Sequence, residues 1–340
     1  MSDLTGQKSI DIIERTLNHE VPPRTPVMPV VGLASTRHSG VSIKEVLHDG
    51  RKQADSQLHA LRHFGYDGVF TVMDLTLEAE ALGATVEFKD DAPPYVRKHA
   101  VNTPEQLLEL KPISTDTKRV AAFVDAARFL AKEVGRSHLV TSYIPGPFTL
   151  CGQVLGLERL LDLCIEGDER AVRLVGHCRS LVSPLIEKYA AAGVHNIAIL
   201  EPSASGSIVS PDYFKRYSLP YLKELVSEIH RSGTKATLHI CGKAKPLVEM
   251  MASVRADVLS LDSAVDLREA KMLVGRRAAL MGNVHTTLML SGTTQQVSAA
   301  ARDCLDKASS GGGFILSTGC DTPIETPEAN LTALVRAALV

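Results

Sequence analysis

The chain has 340 residues, 44% hydrophobic and 22% charged, with 37 basic against 39 acidic residues and a net charge of −2. That balance, with no dense basic run, excludes a nucleic-acid footprint. The six cysteines, at 151, 164, 178, 241, 304 and 320, lack the dense spacing of a secreted disulfide scaffold. No stretch approaches the ~20 apolar residues of a membrane helix and Met1 to Ile10 has no apolar signal core, so a cytoplasmic location without a membrane partner is expected.

Residues 5 to 18 read as a first helix, leading into Val21-Pro22-Pro23-Arg24-Thr25-Pro26; together they make residues 1–25 an N-terminal helical extension. From there one theme repeats: a helix-patterned segment, then a short apolar run that ends in Gly, Pro or a polar residue. The runs are 27–31, Gly68–Val72, His138–Tyr143, His195–Leu200, Lys235–Ile240, Asp257–Leu261, Ala278–Met281 and Gly313–Leu316. The long interval 73–137 is read as an elaborated β/α segment with a hairpin around Thr85–Phe88 and Tyr95–Lys98. Eight β/α units with no dividing linker predict an α/β fold, a single-domain (β/α)8 TIM barrel over residues 1–340. A doubly wound sheet is the competitor, but it usually has fewer strands and often a glycine phosphate fingerprint that this chain lacks.

Catalytic groups on such a barrel gather at the C-terminal ends of the strands. The polar residues that follow the apolar runs are Asp74, Tyr143, Glu201, His239 with Cys241, Asp262, Asn283 with His285, and Cys320. For Asp74, Tyr143 and His285, capping or loop solvation is as good an account as function. Glu201 and Asp262 rank higher, because each carboxylate directly follows an apolar run and is costly there unless paired or metal-bound.

The run Lys235-Ala236-Thr237-Leu238-His239-Ile240-Cys241-Gly242 carries two soft metal ligands. Residues two apart on a strand point to one face, so His239 and Cys241 project together. Cys320, after Gly313-Phe314-Ile315-Leu316, is the candidate third ligand. One imidazole and two thiolates suit Zn²⁺, and three protein ligands with an open fourth position describe a catalytic rather than a structural site. Against this stands the habit of a free Cys to serve as a small buried hydrophobe.

Leu238-His239-Ile240-Cys241-Gly242, Asp257 to Asp262, Leu280-Met281-Gly282-Asn283-Val284 and Gly319-Cys320 resemble the zinc-dependent corrinoid methyltransferases of the uroporphyrinogen decarboxylase superfamily. Met73-Asp74, Glu78 to Gly83, Gly146-Pro147-Phe148-Thr149 and Glu201-Pro202-Ser203-Ala204-Ser205 are similar too, so the likeness spans nearly the whole chain. The resemblance implies a TIM barrel, a catalytic zinc on His239, Cys241 and Cys320, and a methyl group taken from a methyl-Co(III) corrinoid carried by a separate corrinoid protein. The implied small-molecule acceptor is coenzyme M or another thiol, or tetrahydrofolate.

Cobalamin-independent methionine synthases are similar in their zinc site, and Asp262 stands where they carry a carboxylate. That makes Asp262 the expected exchangeable fourth ligand and Glu201 its rival. Asp262, Glu201 and Asn283 are the expected catalytic residues, and Tyr143, Ser203 and His285 the expected contacts to the methylcobalamin cofactor. The sibling activity, porphyrinogen decarboxylation, is the alternative; it would use an arginine-rich N-terminal segment, whereas only Arg37 lies near the first run here. A zinc-stabilised binding protein is a further possibility, although the local Cys-x₂₋₄-Cys pairs of structural sites are missing.

Overall fold

A computed structural model describes residues 7–339. Its first helix, Ser9–Leu17, falls inside the expected 5–18, of which residues 5 and 6 lie outside the described part. In chain order the strands are β1 (Gly68–Phe70), β2 (Thr85–Glu87), β3 (Tyr95–Lys98), β4 (Leu139–Pro145), β5 (Asn196–Leu200), β6 (Lys235–Ile240), β7 (Val258–Leu261), β8 (Ala279–Val284) and β9 (Phe314–Thr318). Strands β2 and β3 form the expected antiparallel hairpin; the other seven make one parallel sheet ordered β1-β4-β5-β6-β7-β8-β9.

The eighth expected strand, 27–31, is reduced to a single parallel bridge between Val27 and Leu316. Two prolines explain this, since Pro26 and Pro29 have no N–H to give to a ladder. The run nevertheless closes the sheet. Met28 donates to Leu316 O at 2.8 Å and Leu316 to Pro26 O at 2.9 Å on the β9 side, while Asp67 N donates to Val27 O at 2.8 Å on the β1 side. Arg24 and the Val27 N–H both bond the Asp67 carboxylate, which pins the same corner. The result is a TIM-barrel-like curled sheet with helices outside it.

Alternation along the strands divides two cores. Phe70, Tyr143, Ala198, Leu200, Met281 and Ile315 fill the lumen, and Ile13 of the first helix joins them. Ile10 N bonds Ser137 O just before β4, so that helix caps the N-terminal end of the barrel. The opposite strand faces, such as Val140, Ile197, Ile199, Leu238 and Leu259, pack against the helical layer. Burial on both faces is why these strands read as unbroken apolar runs. One outer helix, Gly50–Phe64, starts on the Asp49 side chain, which accepts from Lys52 N, and stops at Gly65, whose φ of 73° a side chain would strain. Among the described residues no helix is long and apolar enough to cross a membrane.

Candidate functional site

The barrel brings His239, Cys241 and Cys320 together at its C-terminal mouth. His239 Nε2 lies 2.9 Å from Cys241 Sγ, Cys241 Sγ lies 3.4 Å from Cys320 Sγ, and all three ligand atoms fall within 4.8 Å of one another. This is the one cluster of such spacing among the described His, Cys, Asp and Glu residues. A tetrahedral zinc with bonds of ~2.0 to 2.3 Å asks for ligand separations of roughly 3.5 to 3.8 Å. The Cys241–Cys320 separation of 3.4 Å is close to that and the His239–Cys241 separation of 2.9 Å is shorter, so small side-chain shifts bring the three donors to tetrahedral spacing.

Strand register supplies the support. His239 on β6 lies opposite Ser260 on β7. Its Nδ1–H donates towards Ser260 Oγ at 3.0 Å and Ser260 O at 3.2 Å, which leaves Nε2 with the free lone pair facing the sulfurs. Ser205, in the loop after β5, donates its hydroxyl to Cys241 O at 2.7 Å and so fixes the turn at Gly242, where φ is 71°. Burial opposes a charged His239 imidazole, but its approach to Cys320 outweighs this and raises it. The two thiols tune each other. The Cys241 S–H donated to it, followed by His239, pulls Cys320 down to about 4, and the same shared bond together with burial pushes Cys241 up.

Asp262 lies near enough for its charge to act on His239 and Cys241, but its Oδ1 is turned to its own loop, accepting from Ala264 N at 2.9 Å and Ser263 Oγ at 3.2 Å. Glu201 is not brought to the cluster. On β5 the lumen-facing residues are Ala198 and Leu200, so Glu201 points outward, where it is fully buried. Its carboxylate accepts from Phe148 N at 3.0 Å, Thr149 N at 2.9 Å and the Ser218 hydroxyl at 2.8 Å, capping the helix Pro147–Leu155. The expectation that Glu201 competes as a metal ligand is therefore corrected: the helix N-terminus and Ser218 occupy the oxygens that a metal would need. Asn283 also turns from the mouth. Its Nδ2 donates to Asp262 O at 3.0 Å and Val265 O at 2.7 Å, so it holds the loop that carries Asp262.

Tyr143 is the expected contact that the fold brings closest. It projects into the lumen, stacked on Phe70 at 5.6 Å, and with His239 and Cys320 it lines a small apolar cavity under the cluster. Its hydroxyl is buried without a partner, and burial followed by the charges of Asp321 and Cys320 raises its pKa far above the usual phenol value. Ser203 lies aside, lining an open cleft of about 740 Å³ between the hairpin and the helix Pro147–Leu155. His285 caps the short helix Thr286–Ser291, its Nδ1 accepting from Thr287 N at 3.0 Å. Asp74 is held by Arg119 and by Thr76, whose N–H and hydroxyl lie 2.8 and 2.7 Å from Oδ1.

Two residues of the site went unread in the sequence. Ser260 sits in a run taken as apolar, and its signal is a hydroxyl at the position paired with His239. Asp321 follows Cys320 directly; its Oδ1 is buried without a partner, packed where a Cβ on Gly32 would lie 2.1 Å away.

The sequence profile of the uroporphyrinogen decarboxylase (URO-D) family matches residues 8–339. A methylcobamide:CoM methyltransferase, MtbA, of Methanosarcina mazei is 29% identical over 302 residues, covering 88% of this chain and 87% of that protein. A methylated-thiol–coenzyme M methyltransferase of the same organism is 27% identical over 296 residues, covering 85% and 77%. Among solved structures, a methyltransferase from Methanosarcina mazei superposes with a TM-score of 0.85 at 22% identity, over 98% of both chains, and so shares the fold. With the profile spanning almost every described residue, this chain belongs to the URO-D family.

Proposed function

We propose that this protein is a corrinoid-dependent methyltransferase that moves a methyl group from a methyl-Co(III) corrinoid, presented by a separate corrinoid protein, to a zinc-associated acceptor. The observation that carries this reading is the His239-Cys241-Cys320 cluster at the barrel mouth, in a chain similar over most of its length to proteins named as methylcobamide:CoM methyltransferases. Coenzyme M is the favoured acceptor because it is the one in those names; another thiol or tetrahydrofolate is the alternative. With all six cysteines free, a reducing cytoplasm suits the chain.

The donor set fits zinc, since one imidazole and two thiols in reach of a single ion leave a fourth position open. When bound there, zinc supplies the Lewis acidity that keeps an acceptor thiol as thiolate. The residues of the chain prepare that chemistry. Ser260 fixes the His239 tautomer, and Ser205 fixes the Cys241 turn. Cys320 is already the more acidic thiol of the pair. Asp262, whose charge acts on His239 and Cys241, is the candidate for the open position once released by Ala264 N and Ser263, and Asn283 anchors the loop that carries it. The unpartnered Tyr143 hydroxyl, donating from the lumen, is suited to steady the acceptor.

The test is the visible spectrum of methylcob(III)alamin with zinc-loaded protein under anaerobic conditions, with coenzyme M or tetrahydrofolate added separately. Co(I) formed with coenzyme M is the expected result. Silence with both acceptors, together with carbon dioxide release from a porphyrinogen, would overturn the reading in favour of the decarboxylase.

A further inference from the structure

The two sulfurs at the mouth carry a chemistry that binding a metal does not use. Cys241 follows β6 and Cys320 follows β9, strands that two others separate in the sheet, yet their Sγ atoms lie 3.4 Å apart. The remaining cysteines, at 151, 164, 178 and 304, are buried, whereas this pair is partly open to solvent. Cys151 also has Cys178 beside it, but both are 0% exposed, so a small oxidant meets the pair at the mouth first.

We infer that Cys241 and Cys320 are an oxidative modification site, closing to a reversible disulfide when a hydroperoxide reaches the metal-free protein. An S–S bond of ~2.05 Å asks the two sulfurs to approach by roughly 1.3 Å. Both residues lie just past the ends of their strands, beside Gly242 and Gly319, where the ladders no longer hold the backbone. In the first step one sulfur attacks the peroxide: an S–O bond forms, the O–O bond breaks and, for hydrogen peroxide, water leaves, so that cysteine becomes a sulfenic acid. The second sulfur then attacks the first. The S–S bond forms, the S–O bond breaks and a second water leaves. The two thiol protons end in the two waters, and the sulfurs give two electrons to the peroxide.

The second step is fast because the resolving sulfur already touches the first, ahead of any further peroxide. What the bond does to function rests on the zinc reading above: it withdraws both sulfur ligands at once, and zinc already bound to them shields them in return. In a reducing cytoplasm such a bond is transient, since thiol exchange reopens it.

Full-length protein stripped of metal with a chelator and treated with hydrogen peroxide tests this. Free thiols are then alkylated under denaturing conditions, the intact mass is measured, and the protein is digested without reductant. The inference expects two of the six cysteines to escape alkylation and a peptide cross-link between Cys241 and Cys320 that dithiothreitol removes. Zinc-loaded protein should lose the same thiols at least tenfold more slowly. In C241S, which lacks the resolving sulfur, Cys320 should stop at a sulfenic acid that dimedone traps, with the melting temperature reporting that the variant is folded. Mouth cysteines that stay reduced, or that pass to sulfinic or sulfonic acid, would overturn the inference, as would a cross-link between Cys151 and Cys178 in their place. The zinc reading fails separately: a protein that forms the Cys241–Cys320 cross-link but, once reduced, takes up no zinc in equilibrium dialysis keeps the disulfide and loses the metal.

Discussion

Cys320 and Cys241 lie with their sulfurs 3.4 Å apart, and replacing either thiol removes both a donor and the partner that tunes its neighbour. The variant C320S is therefore expected to lose zinc at the mouth and to lose methyl transfer by three or more orders of magnitude while remaining folded, which zinc content and circular dichroism together will check. Removing only the support should cost less. Without its hydroxyl, S260A leaves the backbone carbonyl to hold His239 Nδ1, so metal affinity should fall by roughly 10-fold, in the range seen when outer hydrogen bonds to a ligand are removed. A different residue sets a pH dependence of the fold. Burial first, with the Asp74 charge adding to it, pushes the Glu78 carboxyl up to about 8, and its Oε2 has no partner. An unfolded Glu titrates near ~4.3, so between that value and the folded one the native state carries the extra proton and stability falls as pH rises. The loss approaches ~1.4 kcal/mol per pH unit at most within that window. Urea unfolding at several pH values should show this slope, and E78Q should flatten it; an unchanged slope in E78Q would remove Glu78 as its source.

At the scale of elements, the strand ends explain why some site residues were legible and Glu201 was not. His239 and Cys241 could be paired from sequence because residues two apart share a face, and both do face the mouth. The same alternation sends Leu200 into the lumen and Glu201 outward. Which parity faces inward cannot be read from Asn196-Ile197-Ala198-Ile199-Leu200, since a parallel strand is apolar on both faces. The carboxylate at its end therefore looked like a ligand when it is the cap of the next helix. Glu201 and Gly146 form a matched pair: a Cβ at Gly146 would come within 2.2 Å of Glu201 Oε2. Replacing Glu201 by Ala should destabilise the protein by about 2 to 4 kcal/mol, because it leaves two buried N–H groups and the Ser218 hydroxyl unmatched. Zinc content should be unchanged in the E201A protein that remains folded. Loss of zinc with stability intact would restore Glu201 to the metal site.

For the whole molecule, the repeat of apolar run and helix was enough to read the barrel, and the one misread run shows what such a repeat omits. Residues 27–31 have the hydrophobicity of a strand, yet prolines at 26 and 29 leave them too few donors for a ladder. Closure then relies on backbone bonds to Leu316 and Asp67 and on the Arg24–Asp67 ion pair, a long-range contact that no local pattern announces. None of these closing contacts passes through His239, Cys241 or Cys320. The lumen below the cluster is filled by Phe70, Tyr143, Leu200, Met281 and Ile315, and the outer core is larger still, so the fold has its own source of stability beneath the mouth. A zinc finger behaves oppositely, unfolding when its metal is withdrawn. Chelating zinc from the protein should therefore abolish methyl transfer and leave the thermal unfolding transition nearly in place, with activity returning when zinc is added back. Unfolding on chelation would instead make the cluster a structural clamp, and the methyltransferase reading would lose the observation it rests on.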